Sequence, residues 1–205
     1  MTAKLKSQPK PHTARERLSC ERVTTLVNAA GAGDQHAWNC LVQEFGSMIW
    51  AIARAHRLRD ADAADVSQAT WLALLENLNR LNDPARVGAW LATTARRECL
   101  RVIRHSERRV LFGDDGPEHE SPEPLPGDEL LTSERDEALW SGFSRLRPSD
   151  QALLRLVMAD PRPAYEEISA ALDMPIGSIG PTRQRALARL REQLESQRML
   201  ALMID

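Results

Sequence analysis

Four arginines, Arg97, Arg101, Arg104 and Arg108, recur at intervals of three and four residues in the stretch 83–109. At about 100° per residue this spacing lines their guanidinium groups along one side of a helix. The same projection puts Trp90 at the head of the stripe and Leu91, Ala95, Cys99 and Val102 on the opposite side. Guanidinium forks grip phosphates and an aromatic ring offers an unstacked base a platform, so the pattern suits a nucleic acid. Taken alone, the stretch reads more simply as an amphipathic helix with a solvated basic face and a tryptophan folded into the core. Its surroundings change that balance.

The charge is unevenly placed. The chain of 205 residues has a formal net charge of −2. Yet seven arginines face only three acids in residues 83–109, whereas residues 114–137 hold ten acids and a single arginine, Arg135. Screening limits a field to about 8–10 Å in physiological salt, so a phosphate responds to the local charge, not the total. With 42% hydrophobic and 4% aromatic residues, the chain is long enough for two small domains with mostly aliphatic cores.

Other chemistries find little support. Cys20, Cys40 and Cys99 are odd in number, far apart and without a C-x-x-C pair. Neither a disulfide framework nor a zinc ribbon follows. His36 and Cys40 share a helix face, but two ligands do not close a zinc site. The sequence shows no phosphate-cradling glycine loop and no nucleophile–base pairing, so neither an enzyme nor a bound cofactor or metal is expected. No apolar run approaches the ~18 residues of a membrane span, and no signal-peptide core is present. The expectation is a soluble, cytoplasmic protein without a membrane partner.

Residues 1–20 are polar and basic and carry all three lysines, Lys4, Lys6 and Lys10; a disordered tail is expected. Residues 21–111 then predict a first all-α domain. Its first helix, 21–30, is broken by Gly31 and Gly33. Asp34 caps a second helix that buries Trp38, Leu41, Val42, Phe45, Ile49 and Ile52. A third helix, 65–81, follows an Asp-rich turn. Val66, Ala69, Leu72, Ala73 and Leu75 are expected on its buried face, which leaves Asp65, Gln68, Trp71 and Leu78 to be divided between the core and the outside. Pro84 fixes a short loop ahead of the basic helix.

Residues 112–133 carry four prolines, three glycines and a dense set of carboxylates with no sustained period, which reads as an acidic linker. Residues 134–196 predict a second domain of four helices: 134–146, 151–158 capped by Ser149, 165–172, and a longer one capped by Ser178. The turn 173–177, with Ile176 expected to point inward and small Ala170 to permit a close crossing, makes the last pair a helix-turn-helix. On its second helix Ile179, Ala186, Leu190 and Leu194 form the inner stripe. Ser178, Pro181, Thr182, Arg185 and Arg189 form the outer one and are the candidates for DNA contact. Gly180 and Pro181 are expected in the first turn, where proline is tolerated. Residues 197–205 read as a tail.

The order of these elements resembles the extracytoplasmic-function sigma factors of bacterial RNA polymerase. The segments that carry the resemblance are DAADVSQATWLALLENLNRL, GAWLATTARRECLRVIRHSERR, LRPSDQALLRL and YEEISAALDMPIGSIGPTRQRALARLREQL. It implies a non-catalytic subunit that binds core polymerase through the clamp helices of the largest subunit and the flap of the second-largest. Asp65, Gln68, Trp71 and Leu72 would face the clamp. Asn82 and Asp83 would receive an extruded base of the −10 element, with Trp90, Arg97, Arg101 and Arg104 beside the opened strand. Ser178, Pro181, Thr182, Arg185 and Arg189 would face the −35 element, although the family more often has a basic and a small polar residue at positions 180 and 181. An inhibitory anti-sigma partner also belongs to that picture. An autonomous helix-turn-helix regulator is the alternative, and it leaves the first domain without a purpose.

Overall fold

Side-chain caps and one partly buried ion pair set the geometry of the N-terminal half. The computed structural model describes residues 18–111 and 134–202; the expected basic tail, apart from its last residues, and the acidic linker lie outside them. Helix α1 (Cys20–Gly31) starts where the Ser19 hydroxyl accepts from the Arg22 N–H, and ends before Gly33, whose φ of 93° suits a residue without Cβ. Helix α2 (Gln35–Ala55) begins at Asp34, whose carboxylate accepts from the His36 and Ala37 N–H groups at 2.8 and 3.2 Å. That is the expected cap.

Helix α3 (Asp60–Asn77) starts five residues earlier than the pattern predicted. The Asp-rich segment is its first turns and not a loop, because Asp60 and Asp62 sit at the positive end of the helix dipole. Arg54, its side chain only 4% exposed, anchors this start: it donates to Asp60 at 3.0 Å and to the Leu58 carbonyl at 3.1 Å. Single 3₁₀ turns at Leu78–Arg80 and Pro84–Arg86 then lead into α4 (Val87–Leu111), the basic helix.

The C-terminal half comprises α5 (Glu134–Ser144), α6 (Pro148–Met158), α7 (Tyr165–Leu172) and α8 (Ile176–Leu202). Among the described residues no strand occurs, and the fold class is all-α. Three expectations shift. The anticipated Ser149 cap is absent, since α6 starts at Pro148 behind Arg147, which makes no side-chain cap bond. Helix α8 starts two residues before Ser178 and continues through the expected tail to Leu202, so Pro181 falls in its second turn. Ile176 points outward and is 46% exposed, because Asp173, at a left-handed φ of 55°, turns the chain before α8 starts.

One hydrophobic core runs through both halves. Leu41, Met48, Ile49 and Ile52 of α2, Leu74 of α3 and Leu91, Ala95 and Cys99 of α4 pack in the same cluster as Leu153 and Leu156 of α6, Ile168 and Ala171 of α7 and Ile179 of α8. Helix α4 lies along α7 and α2 along α6. A smaller cluster of Leu146, Leu154 and Ala186, flanked by Phe143 and Leu190, joins α5, α6 and α8. Among the described residues no helix is long and apolar enough to cross a membrane.

Candidate polymerase and nucleic-acid interface

Helix α3 divides its residues differently from the expected pattern. Ala63, Val66, Thr70 and Leu74 are buried, whereas Leu72 and Leu75 are 55% and 57% exposed. The buried stripe follows a 3-4-4 spacing that includes Thr70, whose hydroxyl donates back to the Val66 carbonyl at 2.7 Å and so needs no outside partner. Two leucines are thereby left in water beside exposed Asp65 and Gln68. Trp71, half-buried, rests edge-to-face on Trp38 of α2 with ring centroids 5.8 Å apart. The result is an apolar surface with a rigid aromatic base and acidic and amide groups at its rim.

The loop after α3 is built tightly. Asp83 accepts from the Ala85 N–H at 3.1 Å and pairs with Arg86 at 3.3 Å, while Asn82 is exposed. Beneath it lies an open cavity of about 310 Å³, lined by Val27, Asn28, Gly31, Leu78, Asn79 and Pro84 among others. Its volume is at the small end of the range for ligand pockets. Asn82 and Asp83 frame this cavity without lining it; the amides facing it belong to Asn28 and Asn79, which no period in the sequence singled out. Gly31 was a signal of a kind, since a Cβ there would lie 2.6 Å from the Asn79 side-chain oxygen.

Helix α4 presents the expected two faces. Leu91, Ala95 and Cys99 are fully buried, and Arg97, Arg101, Arg104 and Arg108 are exposed. Arg101 is steadied by Glu98 at 2.7 Å, and Arg104 donates to the Leu100 carbonyl at 3.1 Å. Trp90 is half-buried and packs against the core instead of standing free at the head of the stripe. Burial pushes the Cys99 thiol up to about 12, which makes it an inert core residue.

On α8 the outer residues part company. Pro181 and Arg185 are exposed, Ser178 and Thr182 half-exposed, and Arg185 donates to the Thr182 hydroxyl at 3.1 Å. Arg189 instead reaches α6, donating to Asp150 at 2.7 Å, and that carboxylate is 4% exposed. It is an internal tie. Among the described residues no group of three or more His, Cys, Asp or Glu could hold a metal ion.

Residues 41–109 match the family of sigma-70 region 2. The chain is 25% identical over 175 residues to the RNA polymerase sigma factor NccH of Alcaligenes xylosoxydans xylosoxydans, covering 83% of this chain and 94% of that one. The chain carries a sigma-70 region 2 and is similar to an RNA polymerase sigma factor over most of its length. Two solved structures share the fold of this chain. CnrH, in complex with the cytosolic domain of CnrY, has a TM-score of 0.57 at 20% identity over 85% of this chain and 98% of that one. RpoE of Bartonella quintana, in complex with the anti-sigma factor NepR, has a TM-score of 0.57 at 22% identity over 77% and 96%. The sigma-70 region 2 match spans α3, the loop and α4, the three elements that carry the apolar surface, the cavity and the basic stripe.

Proposed function

We propose that this protein is a sigma factor that directs core RNA polymerase to its promoters through three surfaces. The outer face of α3, with Asp65, Gln68, Trp71 and Leu72, docks on the clamp helices of the largest subunit. The loop at Asn82 and Asp83, the cavity beneath it and Arg97, Arg101 and Arg104 engage the −10 element, with Trp90 holding α4 in place from the core side. Helices α7 and α8 form the −35 reader, with Ser178, Pro181, Thr182 and Arg185 as its contacts. Residues 21–111 and 134–196 are the two working units, the second also meeting the flap of the second-largest subunit. The protein performs no chemistry of its own, and its place is the cytoplasm, with polymerase and DNA. That two fold relatives are held by other proteins, one of them an anti-sigma factor, supports an inhibitory partner for this chain as well.

The observation that carries this reading is the adjacency of exposed Leu72 and Leu75 to a helix with an exposed arginine stripe. A duplex reader acting alone has use for the stripe but none for the leucines. Fully desolvated apolar anchors typically contribute more than about 1 kcal/mol to an interface. Leu72→Ala combined with Leu75→Ala is therefore expected to weaken binding to core polymerase about tenfold or more, measured by titration of labelled protein, and to leave folding intact. Arg185→Ala is expected to leave that affinity unchanged and to relax discrimination at the −35 element, because an arginine fork on a base edge contributes about 1–3 kcal/mol. Tight, specific binding of promoter duplex by the free protein, with no affinity for polymerase, would favour an autonomous regulator instead.

A further inference from the structure

The cavity between α1 and the loop after α3 has the chemistry of a site for a neutral ligand. Val27 of α1 and Leu78, Leu81 and Pro84 of the loop segment give it apolar walls, and none of its lining residues is charged. It opens at the last turn of α1, the negative end of that helix dipole, where an anion is disfavoured. A metal ion would find neither carboxylate, imidazole nor thiolate there. Two side-chain amides face the space. Asn28 and Asn79 are exposed, and among the described residues neither amide has a hydrogen-bond partner. Asn77, by contrast, donates to the Ala73 carbonyl at 2.8 Å. Gly31 keeps the space clear: a Cβ there would stand 2.6 Å from Asn79 Oδ1 and 3.9 Å from Leu78 Cβ. Gly33 needs its glycine for a positive φ, but Gly31 lies in helical backbone that any residue adopts. The missing side chain at 31 therefore serves the room in front of Asn79.

A planar, uncharged molecule with apolar faces and an edge of donors and acceptors matches such a slot. A nucleobase is that molecule: apolar side chains cover its faces, and each amide offers its edge both a donor and an acceptor. Arg80 follows Asn79 in the chain and Arg86 lies just past Pro84, both exposed, where they supply charge for the phosphates on either side of the base. No residue of α4 contributes to the wall. The cavity is thus a reading point of its own, separate from the arginine stripe. Asn28 and Gly31 also precede residues 41–109, the segment that matches sigma-70 region 2.

We propose that this cavity holds one unstacked base of the opened promoter strand and that the Asn28 and Asn79 amides select which base is accepted, with Gly31 leaving the Asn79 amide its place. This deepens the sigma role proposed above and rests on it. Selectivity at that one position then comes from α1, outside both the loop and the basic helix.

The test uses the full chain bound to core polymerase and a pool of single-stranded oligonucleotides with a randomised segment. Retained strands are sequenced, and the wild-type complex is expected to prefer one base by roughly tenfold at several positions. Asn28→Ala and Asn79→Ala are each expected to flatten that preference at one shared position and to leave the others. Gly31→Ala, which favours the helix and so melts at or above the wild-type temperature, is expected to flatten the same position by displacing the Asn79 amide. Unchanged profiles in all three variants, or an equal loss at every position, would overturn the proposal. Free nucleosides form a second arm. One that binds wild-type protein but not Gly31→Ala, while the strand profile is the same in both, would assign the cavity to a free nucleoside and overturn base capture from the strand. If the chain does not bind core polymerase, the sigma reading falls, and the same selection on free protein still decides the cavity: one position flattened by all three variants supports base capture, and none flattened overturns it.

Discussion

Arg189→Ala is expected to destabilise the protein by about 2 kcal/mol, measured by urea denaturation, while the −35 affinity of the molecules that remain folded is unchanged. The Asp150 carboxylate is 4% exposed and its bond to Arg189 is 2.7 Å long. Removing one partner of a fully buried pair costs about 3–5 kcal/mol, because the other charge is left without compensation. Arg189 keeps 36% of its side chain in water, so the lower figure applies. A paired change tests the cause: Asp150→Leu with Arg189→Met removes both charges and should recover most of the loss. If Arg189→Ala keeps full stability and loses promoter affinity, Arg189 is a DNA contact and the tie to α6 is incidental.

Leu91→Ala is expected to cost about 2–5 kcal/mol, the range for deleting a fully buried leucine. Leu91 is 0% exposed and lies on the inner stripe of α4. In a protein of this length that loss lowers the melting temperature by roughly 4–20 °C, and it removes a large part of a typical stability of about 5–15 kcal/mol. Arg97→Ala, on the outer stripe, provides the contrast. It should leave stability within about 0.5 kcal/mol and weaken binding to opened −10 DNA. Similar stability losses in both variants would mean that α4 does not separate structural from binding faces as described.

Much of this architecture was legible because it is local. Asp34 announced α2 through its cap, and the alternation of Leu91, Ala95 and Cys99 with Arg97, Arg101 and Arg104 announced both faces of α4 at the helical period. Periodicity failed where more than one apolar stripe was available. Leu72 and Leu75 looked like core because they are leucines, whereas buried Thr70, whose hydroxyl is satisfied within its own helix, fits no apolar stripe. The early start of α3 was obscured by a run of acids that favours turns and helix N-termini alike. Long-range partners were not legible at all. Arg189 and Asp150 are 39 residues apart, Arg96 and Asp173 are 77 apart, and no spacing rule connects either pair. For the same reason neither the core shared by both halves nor the seam in which α7 lies along α4 could be anticipated.

The central claim is that the protein confers promoter selectivity on polymerase, and run-off transcription tests it most directly. Purified bacterial core enzyme is given a library of genomic fragments with and without this protein. Discrete new transcripts, whose start sites share one sequence near −10 and a second near −35, are the predicted result. Unchanged transcription from core enzyme that has demonstrably bound the protein would contradict it.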